Sequence, residues 1–323
     1  MSKYWPLIKV LPIKTNFRFV AFARIAAIVS AIAVVVSLGF TLFPFQPPCG
    51  GLSCGIDFKG GTLLEVSTAP KAVDLSLARK TLEAQNIGDV QVQAFGEPTT
   101  AMIRFQTPEG GEPAVAVDKV KAALVDALGP MTFQRADVVG PKVSGELFQS
   151  GILALGLAIG LMLLYIWFRF ELQFGVGAVV GLFHDVILTF GLIAIFKLEF
   201  SLTTIAAILT IIGYSMNDTV VVFDRLRENL RKYKSMPLGE VIDLSINETL
   251  SRTVITGLTA ILALGGLAIF GGPTLLAFSL IMIFGIIIGT YSSVYVAAPV
   301  ILLWGVRRGD EPAEPLMPAN ARP

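Results

Sequence analysis

Residues 20–43 read VAFARIAAIVSAIAVVVSLGFTLF, and the only charge among them is Arg24. At ~1.5 Å per residue, such a run crosses the ~30 Å hydrocarbon core of a bilayer. A secretory signal has a shorter apolar core and a small-residue cleavage site. This run ends instead in Phe43-Pro44-Phe45-Gln46-Pro47-Pro48, and reads as a retained anchor. Outward from it, five more apolar runs follow, at about 148–168, 174–196, 200–223, 252–271 and 275–303. Over the whole chain 15% of residues are charged and 54% are hydrophobic, whereas soluble domains carry about 25% charge. The expected fold class is a polytopic α-helical membrane protein with six transmembrane helices.

Residues 44–146 differ in character, with ordinary charge and switching periodicity. Residues 56–67 alternate and are rich in strand formers; 74–86 read as a helix that Asp74 can cap. Strands are expected at 90–95 and 100–106 around Gly96-Glu97-Pro98, a helix at 114–128 ending in Gly129-Pro130, and a strand at 131–139. The order β-α-β-β-α-β is that of an α+β ferredoxin-like domain.

Basic residues orient the helices. Lys3, Lys9, Lys14, Arg18 and Arg24 flank or enter the first run, and Arg225, Arg227, Arg231, Lys232 and Lys234 crowd the charged segment 224–251. With Arg169, Arg307, Arg308 and Arg322 they fall on one side, against Lys197 alone among the short segments of the other. The expectation is a multi-pass membrane protein. The N-terminus (1–19), the 224–251 loop, helical after Pro237 through Glu248, and a Pro-rich tail (304–323) lie in the cytoplasm, and the 44–146 domain is extracytoplasmic.

The composition excludes several functions. A net charge of +1 without a basic stripe argues against nucleic acid. No phosphate loop, nucleophile–base set or metal-ligand spacing occurs, so neither a catalytic residue nor a cofactor is expected. Cys49 and Cys54 flank a stretch that contains Gly50 and Gly51; a disulfide is feasible there, and two free thiols are the alternative. Gly156/Gly160, Gly177/Gly181 and Gly285/Gly289 are spaced for close helix packing. The informative residues are ionisable ones inside the runs: His184, Asp185, Asp218 beside Asn217, and Arg252. A charge at the bilayer centre costs at least ~2.5 kcal/mol, and is tolerated where it faces the bundle interior, pairs or titrates. Asp218 and Arg252 fall at similar depths on consecutive, oppositely directed helices.

IGYSMNDTVVVFDRLREN (212–229) and INETLSRTVITGLTA (246–260) closely resemble the fourth and fifth helices of the SecF family. IDFKGG (56–61), with Asp57, Gly60 and Gly61, resembles the segment opening that family's extracytoplasmic domain, and FHDV (183–186) resembles its third helix. SecF is the smaller membrane subunit of the bacterial SecD–SecF complex, in the resistance-nodulation-division superfamily. The resemblance implies one half of a machine whose other half is SecD. It implies proton-driven assistance of protein export through the SecYEG translocon, with YajC, unfolded exported polypeptide and protons as further partners. The family's functional acid falls on Asp218 and its functional arginine on Arg252; Asn217 and Asp185 are candidates to complete the proton path. The rival readings are a half-size exporter of small molecules or lipids and a non-transporting scaffold.

Overall fold

The structure is a computed structural model that describes residues 15–45, 48–85, 87, 90–106 and 113–305. The basic residues Lys3, Lys9 and Lys14 and the tail with Arg307, Arg308 and Arg322 lie outside the described residues. Six helices are long and apolar enough to cross a membrane. They are α1 (Phe19–Leu42), α5 (Pro141–Arg169), α6 (Leu172–Ile195), α7 (Leu202–Lys232), α8 (Leu238–Phe270), and a last span in which α9 (Gly272–Ser292) continues through a π-helical stretch (Ser293–Ala297) into α10 (Ala298–Trp304). The spans α6 and α7 are the most enclosed, and α1, α5 and α8 present most of their surface outward.

Between α1 and α5 lie β1 (Ser53–Cys54), a helical turn α2 (Ile56–Lys59), β2 (Gly61–Ser67), α3 (Leu75–Glu83), β3 (Val90–Phe95), β4 (Glu97–Phe105), α4 (Pro113–Leu128) and β5 (Thr132–Val139). A further strand, β6 (Glu199–Phe200), joins α6 to α7. The main sheet has the order β3-β4-β2-β5, with every neighbouring pair antiparallel. Leu64 opposes Ile103 on one side and Ala136 on the other. The helices α3 and α4 cover one face, closing a core of Leu64, Val66, Leu82, Ile103, Phe105 and Leu124. Asp74 caps α3, its Oδ1 accepting from the backbone amides of Ser76 and Leu77 at 3.0 Å each. Those bonds hold its carboxyl below the ordinary value.

Four boundaries differ from the sequence reading. Strand β4 already begins at Glu97, paired with Phe95, so Glu97 and Pro98 extend the strand instead of the turn; the other three each have a local reason. Residues 56–59 turn helically instead of forming a strand, because Gly60 and Gly61 sit at φ +71° and +111° and stop the turn before β2 begins. The helix leading from the sheet starts at Pro141, well before the apolar run, since proline suits a first helical turn. The segment 224–251 is mostly helix. α7 runs on to Lys232 and α8 starts at Leu238, so the turn between them is 233–237. Charged helix formers sustain that hairpin. Arg225 bonds Glu228 at 2.5 Å and Glu248 at 2.7 Å, and Asn229 reaches Glu248 at 2.7 Å.

Candidate proton site

The bundle core is apolar, built around Phe174, Leu182, Ile208, Ile211 and Phe223. A small polar centre is set into it where α6, α7 and α9 meet, and glycines bring those helices together. A Cβ added at Gly285 would come 2.3 Å from Ile211, and one at Gly289 would come 2.9 Å from Ser215. Gly177 lies as close to the Ala297 carbonyl, at 2.6 Å from its would-be Cβ. These two Gly-xxx-Gly pairs therefore serve contacts inside the chain. The third does not: nothing lies within 4 Å of a Cβ at Gly156 or Gly160.

Asp185 is the hub of the centre and is 1% exposed. Its Oδ2 accepts from Ser292 Oγ on α9 at 2.6 Å and from Ser215 Oγ on α7. Its Oδ1 lies 2.9 Å from Nδ1 of His184. One carboxylate thus ties three helices, each bond compensating part of its burial. His184 Nε2 is buried without a partner among the described residues, and the ring stacks on Tyr291 at 6.1 Å. The Tyr291 hydroxyl donates to the Ala26 carbonyl of α1 at 3.1 Å, which extends the polar chain toward the first helix.

Asp218 lies one turn beyond Ser215 on the same face of α7 and is 3% exposed. Among the described residues its side chain has a single, long hydrogen bond, from Thr290 Oγ1 on α9 at 3.4 Å. The Tyr214 hydroxyl, one turn away, is buried without a partner among the described residues. Arg252 on α8 lies within electrostatic reach of Asp218 but makes no ion pair with it. Arg252 itself is exposed on the flank of the isolated chain. Asn217 is exposed too and points away from Asp218, into a groove between α5 and α7 lined by Ala158, Leu161, Tyr165 and Gly213. The structure therefore gathers Asp185, Asp218 and their hydroxyl partners, and leaves Arg252 and Asn217 at the surface of the bundle. Among the described residues no group of His, Cys, Asp and Glu is arranged to hold a metal ion.

The other sequence-marked residues lie at the sheet-domain end of the bundle. Cys49 and Cys54 are joined as a disulfide with Cα atoms 5.9 Å apart. Asp57 Oδ2 accepts from the backbone amide of Leu202, the first residue of α7, at 3.0 Å. Gly61 cannot gain a side chain, because its Cβ would fall 2.6 Å from the Phe105 carbonyl. Sequence reasoning missed Ser215, Thr290 and Ser292, since a hydroxyl in an apolar helix commonly bonds its own backbone and carries no periodic signal. It also missed Asp243, which caps α1 by accepting from the Val20 amide at 2.9 Å, and Asn247, which bonds the backbone of Phe17 at 2.9 and 2.8 Å.

Residues 119–307 match the model of the family described as "Protein export membrane protein SecD/SecF, C-terminal". The chain is 46% identical over 325 residues to a protein translocase subunit SecF of Rhodobacter capsulatus, covering 95% of each chain. It is 44% identical to the SecF subunit of Cereibacter sphaeroides over 94% of each. Among solved structures, SecDF from Thermus thermophilus, described as a translocon-associated membrane protein, superposes with a TM-score of 0.79 at 32% identity. The match takes in 92% of this chain and 40% of that one, so this chain corresponds to under half of the SecDF polypeptide. With its C-terminal half matched by the family's model and its length matched by curated SecF subunits, the chain belongs to the SecD/SecF family of protein-export membrane proteins, as a SecF member.

Proposed function

We propose that the chain is the SecF half of a SecD–SecF complex in the bacterial cytoplasmic membrane, and that this complex uses the proton gradient to assist late steps of protein export through SecYEG. The observation that carries the proposal is the contrast between the two buried carboxylates. Asp185 has three side-chain partners and fastens helices together. Asp218 has one long bond, an arginine within reach and no other use for its charge. A carboxyl held that loosely in an apolar bundle is suited to gain and lose a proton. Burial favours the neutral acid and a nearby guanidinium favours the carboxylate, so a small displacement of α8 against α7 changes which form prevails. Protonation in turn weakens the hold on Arg252, which makes the relation reciprocal. Each proton that crosses releases about 2.3 kcal/mol per 100 mV, enough to bias a two-state arrangement of helices.

The exposed positions of Arg252 and Asn217 support the half-machine reading. A cation and an amide on the flank of a membrane bundle need cover, and a SecD chain seated against α5, α7 and α8 supplies it. The sheet domain then lies in the periplasm, where emerging polypeptide, with YajC and SecYEG, forms its surroundings. The chain performs no covalent chemistry in this scheme.

The test is Asp218→Asn in vesicles carrying the SecD-paired complex, SecYEG and the ATPase SecA. Complex formation and ATP-driven export are expected to persist, and the extra export gained from an imposed proton gradient is expected to vanish. Arg252→Lys, which keeps charge but loses the planar fork, is expected to keep part of that gain. Undiminished gradient-driven export by an assembled Asp218→Asn complex returns Asp218 to a structural role.

A further inference from the structure

The chain enters the sheet domain from α1 and leaves it into α5. Neither helix carries Asp218 or Asp185. The helix that carries Asp218 is tied to the sheet domain by a separate set of contacts at its first turn. Two-residue strand β1, ahead of the sheet domain, pairs in parallel with β6, directly ahead of α7. The Gly55 amide donates to the Phe200 carbonyl at 2.8 Å. The Glu199 side chain lies directly over Gly55, its Oε1 2.5 Å from where a Cβ would stand. Phe200 packs against Phe58 at 5.2 Å and Phe190 at 5.9 Å.

Two polar contacts complete the joint. Asp57 caps the first amide of α7. Arg104, from the interior strand β4, places Nη2 2.8 Å from Glu199 Oε2 and donates through Nη1 to the Cys54 carbonyl at 3.3 Å. The Arg104 side chain is 13% exposed and that of Glu199 29%. Burial lifts the Glu199 carboxyl above its ordinary value, and the Arg104 guanidinium opposes that rise; Asp57 and Arg135 are the other charges facing it. Arg104 is fixed by the sheet, opposite Leu63 of β2 and Gln91 of β3, so a force on Glu199 reaches the middle of the domain. From Leu202 to Asp218 is about 24 Å along a continuous helix.

We propose that Arg104, Glu199 and Asp57 are positioning residues that carry displacement of α7 into the sheet domain, coupling proton movement at the centre of the bundle to work outside it. The inference rests on the proton-driven reading above. Coupling between distant sites travels through rigid elements joined by contacts of this kind, and breaking one contact changes it by about twofold to thirtyfold.

The experiment compares proton flux with gradient-driven export in the same vesicles, using the SecD-paired complex bearing Arg104→Met, Glu199→Gln or Arg104→Lys. The first two are expected to keep proton flux within about twofold of the unaltered complex while losing about tenfold of the gradient-driven gain in export. Arg104→Lys, which retains the charge, is expected to keep more export than Arg104→Met. Unchanged export in both charge-removing variants overturns the proposal. So does a parallel fall of flux and export, which marks a general structural defect, or equal loss with Lys and Met. Asp218→Asn is measured alongside: if it retains gradient-driven export, the proton-driven reading fails, whatever the joint variants do.

Discussion

At the scale of single residues, the two buried aspartates separate by what they touch. Asp185→Ala leaves Ser215, Ser292 and His184 without their common acceptor in a site that water does not reach. A loss of about 2 kcal/mol or more is expected from stranding buried donors, read as a lower thermal midpoint of the detergent-solubilised complex. Asp218→Asn removes one long bond and is expected to move that midpoint little. Equal shifts for the two would erase the distinction on which the proton assignment rests. Asp74→Ala removes the cap of α3 and is expected to lower the melting temperature of the sheet domain. Because the Asp74 carboxyl is held below its ordinary value in the fold, its contribution is present above the ordinary Asp range. It fades as pH falls through the lowered folded value. The sequence marked both membrane aspartates, because an acid in an apolar run is costly and therefore visible. The resemblance to SecF put Asp218 first, but spacing alone gave no physical reason for that order, because the hydroxyls that distinguish the two come from helices far apart in the chain.

At the scale of elements, each of the six helices long and apolar enough to cross a membrane contains nearly all of one of the apolar runs visible in sequence, and the glycine pairs divided by use only in three dimensions. Gly285/Gly289 and Gly177/Gly181 press against Ile211, Ser215 and Ala297, whereas Gly156/Gly160 of α5 meet nothing within 4 Å among the described residues. All three pairs read alike in sequence, because spacing reports a helix face and not what it faces. Gly289→Leu forces α9 off α7 and is expected to prevent stable folding, seen as loss of the full-length chain from membranes. Gly156→Leu with Gly160→Leu is expected to leave the chain inserted and folded but to abolish co-purification with SecD, since bulk there fills the surface that a partner helix approaches. Retention of SecD by that double variant would place the partner on another face. The helical hairpin at 224–251 was only partly legible: the stretch after Pro237 through Glu248 read as helix, whereas the continuation of α7 to Lys232 did not. Its helices are polar on one side and bury Val241, Ile242 and Ile246 on the other, and a dense run of charges masks that periodicity.

At the scale of the whole molecule, the proposed topology has six spans, with both termini on one face of the membrane and the sheet domain on the other. The distribution of arginine and lysine supports the proposal that the sheet domain lies in the periplasm. The disulfide is consistent with that assignment, since such bonds persist outside the reducing cytoplasm. The loop it closes is short, so it contributes only about 2 kcal/mol by loop closure. It fastens the segment between α1 and β1, next to the Cys54 carbonyl that receives Arg104. One labelling experiment examines the side of the membrane and the bond together. Lys71→Cys places an exposed thiol on the sheet domain, and Ser235→Cys places one in the turn between α7 and α8. A membrane-impermeant maleimide applied to spheroplasts is expected to label Lys71→Cys at once, and Ser235→Cys only after permeabilisation. Cys49 and Cys54 are expected to stay unlabelled in both until a reductant is added. Labelling of Ser235→Cys in sealed cells would invert the molecule, place the disulfide in a reducing compartment and remove the sheet domain from the path of exported chains.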